Sequence, residues 1–245
     1  CAFYLATRAR NANHTGRIDD SVAKVVAGER GSEMLAVSGM SMHQNSVASL
    51  MPRGQHVAME TTPFADKPTL YGELVTLRPI RADDADAIDA IIRDDDEVAR
   101  LTGLVHSSTE KPAGTPLEKL REIYGAWAVA DDRLVLAVID NTTDELVGEV
   151  VLNDWDEDNE SCGFRTLIGA AGRGRGLGTE ATRLIVEHGL TKMGMHRITL
   201  EVYDFNPRAR RVYEKVGFVY EGTGREALRF DDEWIDVHFM AILAR

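Results

Sequence analysis

The sequence predicts a mixed α/β fold, a central and mostly antiparallel sheet flanked by helices, over residues 69–245. Three observations carry that expectation. Short apolar runs alternate between turn residues, and helical spacing of apolar positions fills the intervals between them. A glycine-rich turn joins one apolar run to an amphipathic stretch. The order read from these signals is β-α-α-β-β-β-α-β-α-β-β, which calls for a mixed sheet with helices packed on it.

Residues 73–79 alternate and read as the first strand, and Arg81-Ala82-Asp83-Asp84 caps a helix with Ile88, Ile91 and Ile92 on its apolar face. Asp94-Asp95-Asp96-Glu97 starts a further short helical turn with Val98 and Leu101, its acids suited to a helix N-terminus. After a loop over 103–114, Thr115-Pro116 reads as an N-cap followed by proline at the first position of a helix reaching Trp127. Residues 134–139 and 146–152 form an antiparallel hairpin about the turn residues 141–144, and 153–159 form an acidic loop. Residues 162–168 read as a mostly buried strand. Beyond the glycine turn, Leu177, Ala181, Leu184, Ile185 and His188 share a helix face that Gly194 stops. A strand over 196–203 follows, with Ile198, Leu200 and Val202 on one side. Asn206-Pro207 then opens a helix with Ala209, Val212, Tyr213 and Val216 as its stripe and Gly217 at its end. Residues 218–221 and 233–243 close the chain as two strands joined around Phe230-Asp231-Asp232.

Residues 1–58 hold six Lys/Arg and four Asp/Glu, a net of +2, against a net of −14 for 59–245. Their apolar residues keep no sustained period. Residues 1–68 are therefore expected to be an N-terminal extension and linker, poorly structured or a remnant, with residues 64–68 as polar linker. The net charge of −12 makes nucleic acid a poor partner and a cationic small molecule or basic peptide end a better one. No apolar run approaches a membrane span, and two cysteines, Cys1 and Cys162, form no metal or disulfide pattern. These features suit a cytoplasmic enzyme without a metal.

The stretch Arg173-Gly174-Arg175-Gly176-Leu177-Gly178-Thr179 is the strongest local signal. Alternate glycines turn the backbone tightly and leave its amides uncovered, with a helix N-terminus behind them, so the stretch reads as a pyrophosphate seat. A Walker loop would need lysine before Thr179. A Rossmann fingerprint would need a longer glycine spacing, although Glu201 imitates its ribose ligand. A turn without ligand is the remaining alternative.

Arg173-x-x-Gly176-x-Gly178 resembles the acetyl-CoA motif of the Gcn5-related N-acetyltransferases, the GNAT family. Arg197-Ile198-x-Leu200-x-Val202, with Asn206, Ala209, Tyr213, Lys215 and Gly217-Phe218 after it, resembles the second half of that family's core. With Glu221-Gly222 and Trp234-x-Asp236, it is similar to the branch of ribosomal-protein N-terminal and spermidine acetyltransferases. The resemblance covers residues 71–245. It implies a sheet with two splayed parallel strands, and direct acetyl transfer from acetyl-CoA to a primary amine in a ternary complex. It also implies that the pantetheine arm pairs with the edge Leu167-Ile168-Gly169 and that Asn206 touches that arm while capping its helix. Tyr213 is implied to aim its hydroxyl at the coenzyme sulfur, with core packing as its alternative.

The glutamate that many relatives place before the glycine turn falls at Gly163 here. Asp154, Asp156, Glu160 and Asp236 therefore remain as candidate bases, with acidic surface or substrate attraction as their alternative, and Glu201 is a candidate for lining the cleft mouth. The acceptor is expected to be a small cationic amine or a peptide N-terminus, with aminoglycosides or polyamines as one alternative and a non-catalytic CoA-binding module as another. A homodimer stays open.

Overall fold

Eight segments pair into one sheet in this computed structural model, which describes residues 62–112 and 114–245. The expected extension over 1–58 lies outside the described residues. The strands are β1 (Leu70–Tyr71), β2 (Val75–Pro79), β3 (Leu134–Asp140), β4 (Leu146–Asp156), β5 (Ser161–Ile168), β6 (Arg197–Tyr203), β7 (Val219–Phe230) and β8 (Glu233–Leu243), ordered β1-β2-β3-β4-β5-β6-β8-β7. Every neighbouring pair is antiparallel except β5 and β6. Helices α1 (Ala85–Asp94), α2 (Asp96–Leu101) and α3 (Leu117–Val129) lie between β2 and β3, while α4 (Leu177–Thr191) follows β5 and α5 (Pro207–Val216) follows β6. Among the described residues no helix is long and apolar enough to cross a membrane.

Period-two alternation sorts the strands into two faces. Leu77, Leu136, Val150, Leu152, Phe164, Ile198, Leu200, Val202 and Met240 point to one face, where Leu177, Ala181 and Ile185 of α4 and Tyr213 of α5 complete the main core. On the opposite face α3 presents Tyr124, whose hydroxyl donates to buried Glu149 of β4 at 2.9 Å. Arg165 of β5 lies over the Trp127 ring of the same helix at 5.3 Å.

The expected mixed sheet flanked by helices is what the chain forms, with differences in detail. The short helical turn expected from Asp94 with Val98 and Leu101 is a helix in its own right, α2, so three helices separate β2 from β3 where the expected order counted two. Pro116 rather than Thr115 is the N-cap of α3, without a side-chain cap bond, and the helix continues to Val129. Strand β4 runs to Asp156, past the expected loop boundary. Strand β7 is twelve residues long where residues 218–221 were expected, because it is an edge strand with mostly exposed side chains, and its register shifts at two places break any alternation.

The expected linker is corrected most clearly. Phe64 is fully buried in the main core beside Trp155, with ring centroids 5.9 Å apart. Lys67 Nζ donates to the carbonyls of Ala130 and Arg133 at 2.6 and 2.5 Å. The polar residues around Phe64 hid an anchor. Phe64→Ala is expected to lower the unfolding free energy by about 3–5 kcal/mol in a urea titration. A loss below about 1 kcal/mol would return this segment to a linker.

Candidate active site

The site begins where the sheet forks. β5 pairs with β6 only at Ser161↔Arg197, Cys162↔Ile198 and Gly163↔Thr199. From there β5 stays with β4, and β6 stays with β8 as far as Tyr203↔Val237, so the two strands part. The Gly169 amide donates back to Val147 of β4 at 2.9 Å. Peptide groups alternate in direction along a strand, so those of residues 164, 166 and 168 face the fork. Of the expected edge Leu167-Ile168-Gly169, Ile168 alone turns its peptide groups that way.

At the end of β5 the chain makes a tight turn over Ala170–Gly172 and enters the glycine stretch. Gly174 and Gly176 adopt φ of +72° and +88°, a left-handed backbone that glycine takes without strain. Gly176 is the N-cap of α4, and its carbonyl accepts from both Thr179 and Glu180 at 3.0 and 3.1 Å. Among the described residues the amides of Arg175, Gly176, Leu177 and Gly178 take no backbone acceptor. A row of unspent donors at a helix N-terminus is an anion cradle.

The turn's arginines are engaged within the chain. Arg173 Nε donates to the Ile168 carbonyl at 3.0 Å, and its guanidinium pairs with Asp95 at 2.7 Å and Glu97 at 2.6 Å. Arg175 pairs with buried Asp140 at 2.5 Å. The Thr142 amide, and then Arg175, hold the Asp140 carboxyl below its usual range. Behind the turn, the Glu180 carboxylate accepts the amides of Glu73, Leu74 and Val75 at 3.1, 2.7 and 2.9 Å. That staple was not anticipated, because a first-turn glutamate reads simply as a partner of the helix dipole.

The other arm of the fork carries Asn206 and Tyr213. Asn206 Oδ1 accepts from the Ala209 amide at 3.1 Å, so the expected cap is formed. The cap uses the oxygen and leaves the amide group of the same side chain out of it. Tyr213 is buried on α5, one turn-pair further on. Its ring lies 6.0 Å from those of both Phe164 and Phe218, edge-on to each. Phe164 is the first β5 residue beyond the last parallel pair, which places Tyr213 at the crotch of the fork.

The family model for an acetyltransferase (GNAT) domain matches residues 75–219, a span that includes the fork, the glycine turn, Asn206 and Tyr213. The chain belongs to the GNAT family. It is similar to an uncharacterized N-acetyltransferase p20 of Bacillus licheniformis, 24% identical over 72% of this chain and 97% of the relative. It is also similar to the spermidine N(1)-acetyltransferase of Vibrio cholerae, 28% identical over 51% of this chain and 72% of the relative. The structure of the Vibrio cholerae spermidine N-acetyltransferase in complex with CoA and spermine shares the fold with a TM-score of 0.61. It is 24% identical and covers 71% of this chain and 97% of its own. The protein is an N-acetyltransferase of GNAT type.

In this GNAT domain Glu201 is exposed on the face of β6 opposite α4 and α5, and its register partner Phe239 is 40% exposed. The acids expected as candidate bases have different fates. Asp156 accepts the amide and the side chain of Asn159, and Asp236 accepts the Glu226 amide. Glu160 uses its carbonyl to accept from His196. Asp154 lies on the bulge of β4 with φ of +55°, held by Asn153 Nδ2 at 3.0 Å. A Cβ built on Gly163 would stand 3.4 Å from the Asn153 carbonyl and 3.5 Å from Asp154 Oδ2, so this carboxylate borders the space that a side chain at 163 would enter. Cys162, next to the crotch, is no nucleophile at neutral pH, because burial pushes its thiol up to about 12. Among the described residues no cluster of His, Cys, Asp and Glu could hold a metal.

Proposed function

We propose that the enzyme transfers acetyl from acetyl-CoA to the primary amine of a small cationic molecule by direct attack in a ternary complex. The observation that carries this is the junction of an open strand edge with a row of unspent amides at the start of α4. Acetyl-CoA supplies an activated acyl group and a thiol leaving group. The chain's own residues do the rest. Amides 175–178 bind the diphosphate, the fork edges at residues 164, 166 and 168 align the extended arm, and Asn206 reaches the arm with the amide group its cap does not use. The raised thiol pKa of Cys162 argues against an acyl-enzyme and for direct attack.

A lysine-like or polyamine nitrogen has a pKa near 10.4, so freeing its lone pair at pH 7 costs about 4–5 kcal/mol. Asp154 is the proton acceptor this reading favours, since it borders the vacant side-chain space of Gly163 beside the crotch. Tyr213, from the opposite side, donates its phenolic proton to the departing thiolate. Spermidine acetyltransferases among the relatives and the net charge of −12 favour a polyamine-like acceptor over a peptide N-terminus.

A thiol-release assay across polyamines, aminoglycosides, amino acids and N-terminal peptides is expected to show turnover highest on a polycationic amine. Turnover on peptides alone would overturn that preference, and stabilisation by CoA without turnover on any amine would favour the binding module. Tyr213→Phe is expected to keep the fold and coenzyme affinity while turnover falls about tenfold or more. An unchanged rate would make the ring a packing residue. Asp154→Asn keeps a residue type that tolerates left-handed φ, so the backbone is retained. Its turnover is expected to fall about tenfold at pH 7 and to recover as pH rises toward the amine pKa. A deficit that is the same at every pH would remove Asp154 from proton transfer.

A further inference from the structure

Glu97 of α2 reaches both arms of the fork. Its Oε2 accepts from Arg173 Nη1 at 2.6 Å and its Oε1 from Arg208 Nη2 at 3.1 Å. Arg173 belongs to the turn after β5, and Arg208 sits in the first turn of α5, after β6. One carboxylate therefore ties the two lips between which an extended coenzyme arm would pass. Two guanidinium groups converging on a carboxylate present the donor array that phosphate oxygens also satisfy. Arg173 is further fixed by Asp95 and the Ile168 carbonyl, and its side chain is only 15% exposed. Glu97 and Arg208 are half-exposed, at 49% and 50%. An exposed carboxylate–arginine pair is a weak tie, and a more highly charged anion can replace it.

We infer that Arg173 and Arg208 form a phosphate site which Glu97 fills until the coenzyme arrives, a coenzyme phosphate then taking the place of the carboxylate. The inference rests on the reading that the diphosphate lies on the 173–178 turn. No covalent bond changes; one anion replaces another on the same two cations. The Arg173–Asp95 pair is kept through the exchange, so the turn stays tied to the start of α2. The helix stays attached on its other side, where Arg100 lies over the rings of Phe205 and Phe230 at 4.9 and 5.4 Å.

Calorimetric titration of the full chain with CoA, dephospho-CoA and pantetheine tests the exchange, with thermal melts confirming that each variant folds. Glu97→Gln is expected to bind CoA roughly three- to tenfold more tightly and Arg208→Gln to bind it more weakly by a similar factor. The gain from Glu97→Gln should shrink when Arg208→Gln is already present, and pantetheine affinity should not respond to Glu97→Gln. A gain kept with dephospho-CoA assigns the diphosphate to the site, and a gain lost with it assigns the 3′-phosphate. If the wild type binds CoA but Glu97→Gln binds it equally or more weakly, the exchange is overturned and Glu97 is a structural tie. Gly178→Val separates this from the underlying reading, since its Cβ meets only Ile168 at an ordinary 3.4 Å while shielding the turn. CoA affinity indifferent to Gly178→Val would overturn the seat on the turn, and the exchange with it.

Discussion

Three residue pairs hold β5 to β6, and the fork in the sheet follows from their small number. Each strand is committed to a partner on its other side along its full length, β5 to β4 and β6 to β8. The sheet is thus two half-sheets joined at Ser161–Gly163 and Arg197–Thr199. Phe164, Tyr213 and Phe218 pack as an aromatic group on one face just beyond that joint, where a continued parallel pairing would bring the strands together. Each arm then ends in a helix start with a different role. β5 leads to an uncapped N-terminus rich in free amides, and β6 leads to one whose donors Asn206 already serves.

The electrostatics run against first expectation for a chain of net charge −12 that handles a polyphosphate. Its two turn arginines are paired with Asp95, Glu97 and Asp140. Main-chain amides are left as the uncommitted donors for an anion, and they carry no net charge to attract competing counter-ions from a distance. Because the Asp140 carboxyl is held below its usual range, it stays ionised through the neutral region, and its pairing with Arg175 persists there. Acidic side chains stand exposed instead on β4 and β6, as Asp154 and Glu201.

The fold was legible wherever burial imposes a period. The stripes of α4 and α5, the core strands, and the glycine turn with its positive φ all followed from residue type and spacing. Edge strand β7 was not, because exposed side chains on an edge leave no alternation to read. Phe64 was hidden by its polar neighbours, since one buried ring sets no period. Asn206 as the cap of α5 and Tyr213 on its buried stripe could be read in advance. The roles of Glu180 and Glu97 could not, because each joins segments far apart in the chain, residues 73–75 in one case and Arg173 and Arg208 in the other. Asp154 stood in the sequence as one acid among several. Its proximity to Gly163 depends on the bulge that turns the end of β4, which residue spacing does not encode.

The Glu180 staple sets the working limits of the domain. The span that matches the family model starts at Val75, yet two of the three amides that grip this carboxylate belong to Glu73 and Leu74. A Cβ on Gly72, just upstream, would meet Glu180 Oε2 at 2.6 Å and displace the carboxylate from its staple. A fragment trimmed to the matching span would leave the azimuth of α4, and with it the aim of every amide in the glycine turn, without its fixed reference. In this chain the start of α4 and its free amides are tied to residues a hundred positions earlier.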